Sequence, residues 1–200
     1  MGEGEQLDRE WIMKRLSLVA IVMVLGAFPA VSAGQELEWV FAGGVYNPAG
    51  EDFEDTASGP GIDVALRRTL GERLRIGAGV QWNQNGVQFT QDDWSTWAFF
   101  LESQIALSHG SSRILPFIAG RGAWITQSIS TLRGERSATG WGGGGLVGVT
   151  ISITSLVSLE IAVPLYHLAF GDHELDGVSV ADTDSSGRLF GLRAGLAFDF

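Results

Sequence analysis

Leu74-Arg75-Ile76-Gly77-Ala78-Gly79-Val80-Gln81-Trp82 alternates without a break. Leu74, Ile76, Ala78, Val80 and Trp82 share one face; Arg75, Gly77, Gly79 and Gln81 share the other. A period of two belongs to an extended strand whose faces meet different surroundings. Arg188–Phe200 repeats the pattern, with Phe190, Leu192, Ala194, Leu196, Phe198 and Phe200 opposite Gly191, Arg193, Gly195, Ala197 and Asp199. Gly140–Ile153 does so again, with Trp141, Val147, Val149, Ile151 and Ile153 opposite Gly142, Gly144, Gly148, Thr150 and Ser152. A soluble barrel would fill its interior with the large apolar face and coat its exterior with charge. Here the second face is glycine, small residues and isolated charges, too sparse to coat an exterior in water. A narrow lumen needs small residues and lipid accepts large apolar ones, so the large face points outward.

Working outward from these stretches, eight strands are expected: 37–47, 60–69, 74–82, 94–107, 113–127, 140–153, 157–170 and 188–200. Each is about as long as the 9–11 residues of a tilted membrane-spanning strand. Tight turns at 70–73, 109–112 and 154–156 alternate with longer, polar, mostly acidic links at 48–59, 83–93, 128–139 and 171–187. Short turns at one rim and long loops at the other are the pattern of bacterial outer-membrane barrels. The fold class read from this is all-β: an eight-stranded antiparallel up-and-down transmembrane β-barrel. An even strand count puts both termini on the periplasmic, short-turn side.

The N-terminus carries an export signal. Met13-Lys14-Arg15 opens a basic patch, Leu16 to Phe28 is almost wholly apolar, and Val31-Ser32-Ala33 offers small residues for cleavage. That apolar run falls short of the roughly 20 residues of a spanning helix. Residues 1–33 are therefore expected to be an N-terminal extension and cleaved signal peptide, with Met13 the favoured start, and residues 34–200 the barrel domain. After Gly34 there are nineteen acidic residues against ten basic ones, all arginine. An exported acidic chain without a basic patch does not suit nucleic-acid binding. The absence of cysteine removes disulfide and thiol chemistry.

Tryptophan placement is a separate test of the faces. Trp82, Trp97, Trp124 and Trp141 all fall on the outward face beside a long loop, as an interfacial aromatic girdle requires. Trp39, Phe198 and Phe200 are candidates for the girdle at the other rim. Facing inward are Asp63, Arg67, Arg75, Glu102, Arg121, Glu160, Arg193 and Asp199, four of each sign. Eight strands leave an interior that side chains fill, so these charges must pair or meet trapped water. Glu102, Arg121, Glu160 and Arg193, nearest the strand centres, are read as a lumen charge network. An ion pathway is the sharper alternative.

Three motifs do not carry the chemistry they suggest. Gly143–Gly148 fits G-x-G-x-x-G, but a strand follows where a dinucleotide site needs a helix. Asp182–Gly187 starts like a calcium loop, yet its twelfth position is Arg193 rather than Glu. His167, on the outward face near the long-loop rim, invites comparison with lipid A deacylases, but those carry His-x-Ser whereas His167 is followed by Leu168 and Ala169. No catalytic, cofactor-binding or metal-binding residue is assigned.

The signal peptide, the 116–124 strand (Pro116-Phe117-Ile118-Ala119-Gly120-Arg121-Gly122-Ala123-Trp124) and the ending Leu196-Ala197-Phe198-Asp199-Phe200 together resemble the small outer-membrane barrels of the OmpA/OmpX type. The resemblance implies the fold, a bacterial outer-membrane location, contact with outer-membrane lipid, and recognition of terminal Phe200 by the barrel assembly machinery. It says little of function, which is read here as a non-enzymatic structural or surface-contact role, with the extracellular loops open to an unidentified ligand. A small-solute channel and a lipid-modifying enzyme at the outer rim are the alternatives. Phe200→Asp is expected to lower barrel insertion while secretion to the periplasm continues; fractionation would show wild-type insertion if Phe200 is not the assembly signal.

Overall fold

The computed structural model describes residues 37–87, 93–108, 112–131, 134–175, 178–180 and 184–200. The signal-peptide reading and its Ala33 cleavage site lie outside them.

Eight long strands form the wall: β1 (Leu37–Ala49), β2 (Gly59–Leu70), β3 (Leu74–Gly86), β4 (Asp93–Ala106), β5 (Ile114–Thr131), β6 (Gly134–Ser152), β7 (Val157–Phe170) and, after the short β8 (His173–Leu175) and β9 (Val178–Val180), β10 (Ser185–Asp199). Each pairs antiparallel with its chain neighbour, β10 pairing with β7. The seam is β1 against β10, in register from Glu38↔Asp199 to Ala49↔Arg188. No edge of the eight-strand wall is left open, so its backbone donors and acceptors are met within the chain, as a bilayer interior demands.

The faces follow the alternation. Leu101, Val147, Val163, Leu165 and Leu192 point outward, each more than half exposed. Ala162, beside Val163, and Thr150, three residues after Val147, point inward and are 1% exposed. Thr154 Oγ1 accepts from the backbone N–H groups of Leu156 (3.2 Å) and Val157 (3.0 Å), which closes the tight β6–β7 turn.

At the long-loop end the structure departs from expectation. The expected loop 128–139 is mostly strand: β5 and β6 continue in register to Thr131↔Gly134. Ser128 and Ser137 pass the hydrophobic level, where an outward face no longer has to be apolar, so the alternation that marks a strand disappears. The 171–187 link likewise holds a hairpin, β8–β9, seated on β6 through Arg136↔Leu175 and Ser137↔Glu174. β3 runs on through Asn83 and Asn85, whose polar side chains face the interior.

Val163 lies midway along β7, whereas Thr150 faces a wide cavity at the short-turn end. Val163→Arg is therefore expected to cost about 2–4 kcal/mol of folding in lipid vesicles, and Thr150→Arg less. Urea titrations giving the reverse order would mean that the two faces are exchanged.

Candidate functional site: a cycle of charges inside the barrel

Six buried side chains from five strands meet in the middle of the barrel. Arg67 Nη1 and Nη2 donate to Glu160 Oε2 and Oε1 at 2.6 and 3.1 Å, a two-point contact. Arg67 Nη2 also lies 2.8 Å from Glu102 Oε1. Arg121 reaches Glu102 Oε2 through Nε (3.0 Å) and Nη2 (2.6 Å), and Asp63 Oδ2 through Nη1 (3.1 Å). Arg193 Nη1 donates to the same Asp63 oxygen at 2.7 Å, and its Nη2 donates to Glu160. The order Arg67–Glu102–Arg121–Asp63–Arg193–Glu160 returns to Arg67. Every arginine thus touches two carboxylates of the cycle and every carboxylate two arginines. Glu38 joins from β1, 3.3 Å from Arg67 and 3.6 Å from Arg75.

The sequence makes room for the cycle in the wall. Arg67 sits opposite Gly77, Arg121 opposite Gly144, and Arg193 opposite Gly44, each pair on one inward face. A Cβ at Gly77 would stand 2.7 Å from Arg67 Cγ, and one at Gly44 3.0 Å from Arg193 Cβ. Glu102 is directly across the β4–β5 ladder from Arg121, while Glu160 is diagonal to Arg193 across β7–β10. The Arg121 guanidinium also stacks 3.6 Å above the Phe100 ring.

All four residues expected from the sequence, Glu102, Arg121, Glu160 and Arg193, belong to this cycle. Asp63 and Arg67, read only as inward charges, complete it, and Glu38 was not picked out. Arg75 and Asp199 stand lower, lining an open cavity of about 720 Å3 at the short-turn end with Thr150 and Ser158. Above the cycle the interior holds a polar ladder, Gln81, Asn83 and Asn85, facing Phe100, Ile125, Tyr166 and Leu168. Gln81 Oε1 accepts from Arg121 at 2.9 Å, and Gln81 Nε2 donates to Asn83 at 3.1 Å.

Outside, the aromatic residues form pairs. Trp82 and Trp97 lie 6.4 Å apart, and Trp124 meets Trp141 edge-on at 4.6 Å. Trp97, Trp124 and Trp141 are exposed, and Trp82 donates to Ser95 Oγ at 3.0 Å. At the other rim Trp39, Phe41 and Phe198 follow one another at 6.1 Å, with Phe200 exposed beside them in sequence. Trp94 is different: it is 3% exposed and faces inward.

His167 shares an outer recess with Asp52, Ser186 and Arg188. The carboxylate of Asp52 is taken by the backbone N–H of Ser186 at 2.8 Å. Among the described residues no hydrogen bond joins His167 to Ser186, so no nucleophile–base pair is set. Asp182 and Thr183 of the calcium-like stretch lie outside the described residues, and Gly143–Gly148 runs as strand within β6.

Taking one charge from the cycle leaves buried partners short of a counter-charge, a loss of about 3–5 kcal/mol for a broken buried pair. Glu102→Gln and Arg121→Met should each destabilise strongly. The double variant leaves one arginine and one carboxylate fewer and should recover part of the loss. A double-mutant cycle in urea, followed by gel mobility, reads the coupling; strictly additive losses would show that the two side chains do not meet.

No protein-family model matches the sequence, and neither does any curated protein. Solved structures do share the fold. Neisserial surface protein A is similar over 84% of this chain and 98% of its own, at 16% identity and a TM-score of 0.62. The outer membrane protein OprG from Pseudomonas aeruginosa is similar over 84% of this chain and 96% of its own, at 12% identity and a TM-score of 0.53. The chain has the fold of the small eight-stranded outer-membrane β-barrel proteins, and its exterior is that of a barrel standing in a bilayer.

Proposed function

We propose that this is a structural, non-enzymatic protein of the bacterial outer membrane that makes surface contacts through its extracellular loops, with its lumen closed by the charge cycle. The observation that carries the surface role is where the net charge resides. Residues 48–58 contribute Glu51, Asp52, Glu54 and Asp55, and residues 171–187 contribute Asp172, Glu174, Asp176, Asp182 and Asp184, with no lysine or arginine in either stretch. These nine equal the whole excess of acid over base after Gly34, so the rest of the mature chain is balanced. The first stretch touches the start of β10, where the second ends: the Ser186 N–H donates to Asp52, and Gly50 packs on Gly187. A barrel that cancels its internal charge and gathers all its surplus on one side offers an acidic face to basic partners.

A small-solute channel is favoured by the wide short-turn cavity, which stops beneath the cycle. Opposing it, the cycle leaves side chains in van der Waals and ionic contact across a bore that eight strands make narrow.

Proteoliposomes bearing the mature barrel test the surface role. They should bind a lysine-rich polypeptide at low salt and release it as salt screens the loops. A variant with Glu51, Asp52, Glu54 and Asp55 changed to their amides should bind markedly less while keeping heat-modifiable gel mobility. Equal binding by both proteins overturns the role given to the loops.

A further inference from the structure

The acidic first loop carries one aromatic residue and turns it inward. Glu51, Asp52, Glu54 and Asp55 are exposed, whereas Phe53, in a single turn of 3-10 helix, is 4% exposed. Its ring lies parallel on Trp94, with centroids 4.6 Å apart and planes 5° apart, and beside Phe170 at 6.4 Å. It rests on Gly187, where a Cβ would stand 2.3 Å from the ring. Trp94 forms part of the ceiling of a cavity of about 30 Å3 above the charge cycle, whose walls include Asn83, Thr96, Ile125 and Tyr166. Two buried polar atoms there, Trp94 Nε1 and Tyr166 Oη, have no hydrogen-bond partner among the described residues. Buried polar groups are rarely left so, and each one calls for an explanation.

We propose that this chamber is a binding site for a small uncharged aromatic molecule carrying a hydroxyl group, and that Phe53 occupies its ring position until the ligand arrives. The cavity itself holds a water or two and no ring, so a ligand ring must take the seat of Phe53 on Trp94. Trp94 supplies the stacking face, and Ile125, Leu168 and Leu189 the apolar walls. The indole N–H and the tyrosine hydroxyl supply the missing partners for a ligand hydroxyl. Charge sets the class: Arg121 is the one charged residue of the described cavity wall and is already paired with Glu102 and Asp63, so neither an anion nor a cation finds a free counter-charge there. Withdrawal of the lid gives up the Phe53 stack on Trp94. Among the described residues, loop 1 is otherwise held by the Asp52 contact to the Ser186 N–H and, after Asp55, by the Thr56↔Val87 bridge, by the Ala57 N–H on the Gly86 carbonyl, by Asn85 Nδ2 on the Ala57 carbonyl at 3.0 Å and by Ser58 Oγ on Asn47 Oδ1 at 2.8 Å. Such sparsely anchored segments open at low free energy.

The test is 19F NMR of 4-fluorophenol with the mature barrel in detergent micelles, referenced to empty micelles. Fluorobenzene serves as the same ring without the hydroxyl. Phe53→Ala removes the lid; Gly187→Ala expels it while keeping Phe53, so either variant can answer if the other fails to fold, as gel mobility shows. Both should bind 4-fluorophenol about tenfold more tightly than the wild type, because the competent state no longer has to be populated against the lid. Adding Tyr166→Phe to Phe53→Ala should remove most of that gain, and fluorobenzene should bind weakly throughout. The proposal is overturned if lid variants bind 4-fluorophenol no better than the wild type. It is equally overturned if fluorobenzene and 4-fluorophenol bind the lid variants alike.

Discussion

A sheet that stands in hydrocarbon has no water to satisfy its edges, and the whole molecule follows from closing them. β1 and β10, the first and last strands of the wall, must pair along their full length, as they do from Glu38↔Asp199 to Ala49↔Arg188. Closure with eight strands fixes a bore so narrow that inward positions cannot all be large. The inward faces therefore mix glycine with a few long side chains, while the outward faces are free to be large and apolar. One requirement on the backbone thus sets the composition of both faces.

The narrow bore also decides what its charges can do. Three arginines and three carboxylates, each at most 5% exposed, have no solvent to fall back on. Their desolvation is offset because each charge meets two of opposite sign around the cycle, although Arg67 Nε, Arg193 Nε and Glu102 Oε1 have no hydrogen-bond partner among the described residues. Arginine suits this role because its planar fork binds two oxygens at once, as Arg67 does on Glu160. Lysine, absent after Gly34, could offer only a point charge. The cycle also joins β2, β4, β5, β7 and β10 through side chains as well as through their ladders. Above it lies an aromatic and amide layer; below it, an open cavity.

Much of this could be read from the sequence, and what escaped did so for physical reasons. Alternation in Leu74–Trp82 and Arg188–Phe200 exposed the two faces directly, because period two survives tilt and closure. Height across strands did not survive. Asp63 lies near the start of β2 and Glu102 well along β4, yet both touch Arg121, since the stagger of a closed barrel brings different strand positions to one level. Choosing charges by their distance from the strand centre therefore left out Asp63 and Arg67. Glu38 was missed because the inward residues after it, Val40, Ala42, Gly44 and Tyr46, conceal a charged face. The strand ends in 128–139 looked like loop, because beyond the membrane the outward face loses its apolar residues. Phe53 and Trp94 had no local signal at all: only the return of loop 1 over the mouth makes them partners.

Solid-state NMR distances between carboxyl carbons and guanidinium nitrogens, measured on the labelled barrel in lipid bilayers, test the charge cycle most directly. Arg67, Arg121 and Arg193 should each show hydrogen-bonding proximity to two different carboxyl groups of Asp63, Glu102 and Glu160, with slow exchange of their guanidinium protons. Guanidinium groups in fast exchange with water and close to no carboxyl carbon would contradict the cycle and replace it with a wet, open lumen.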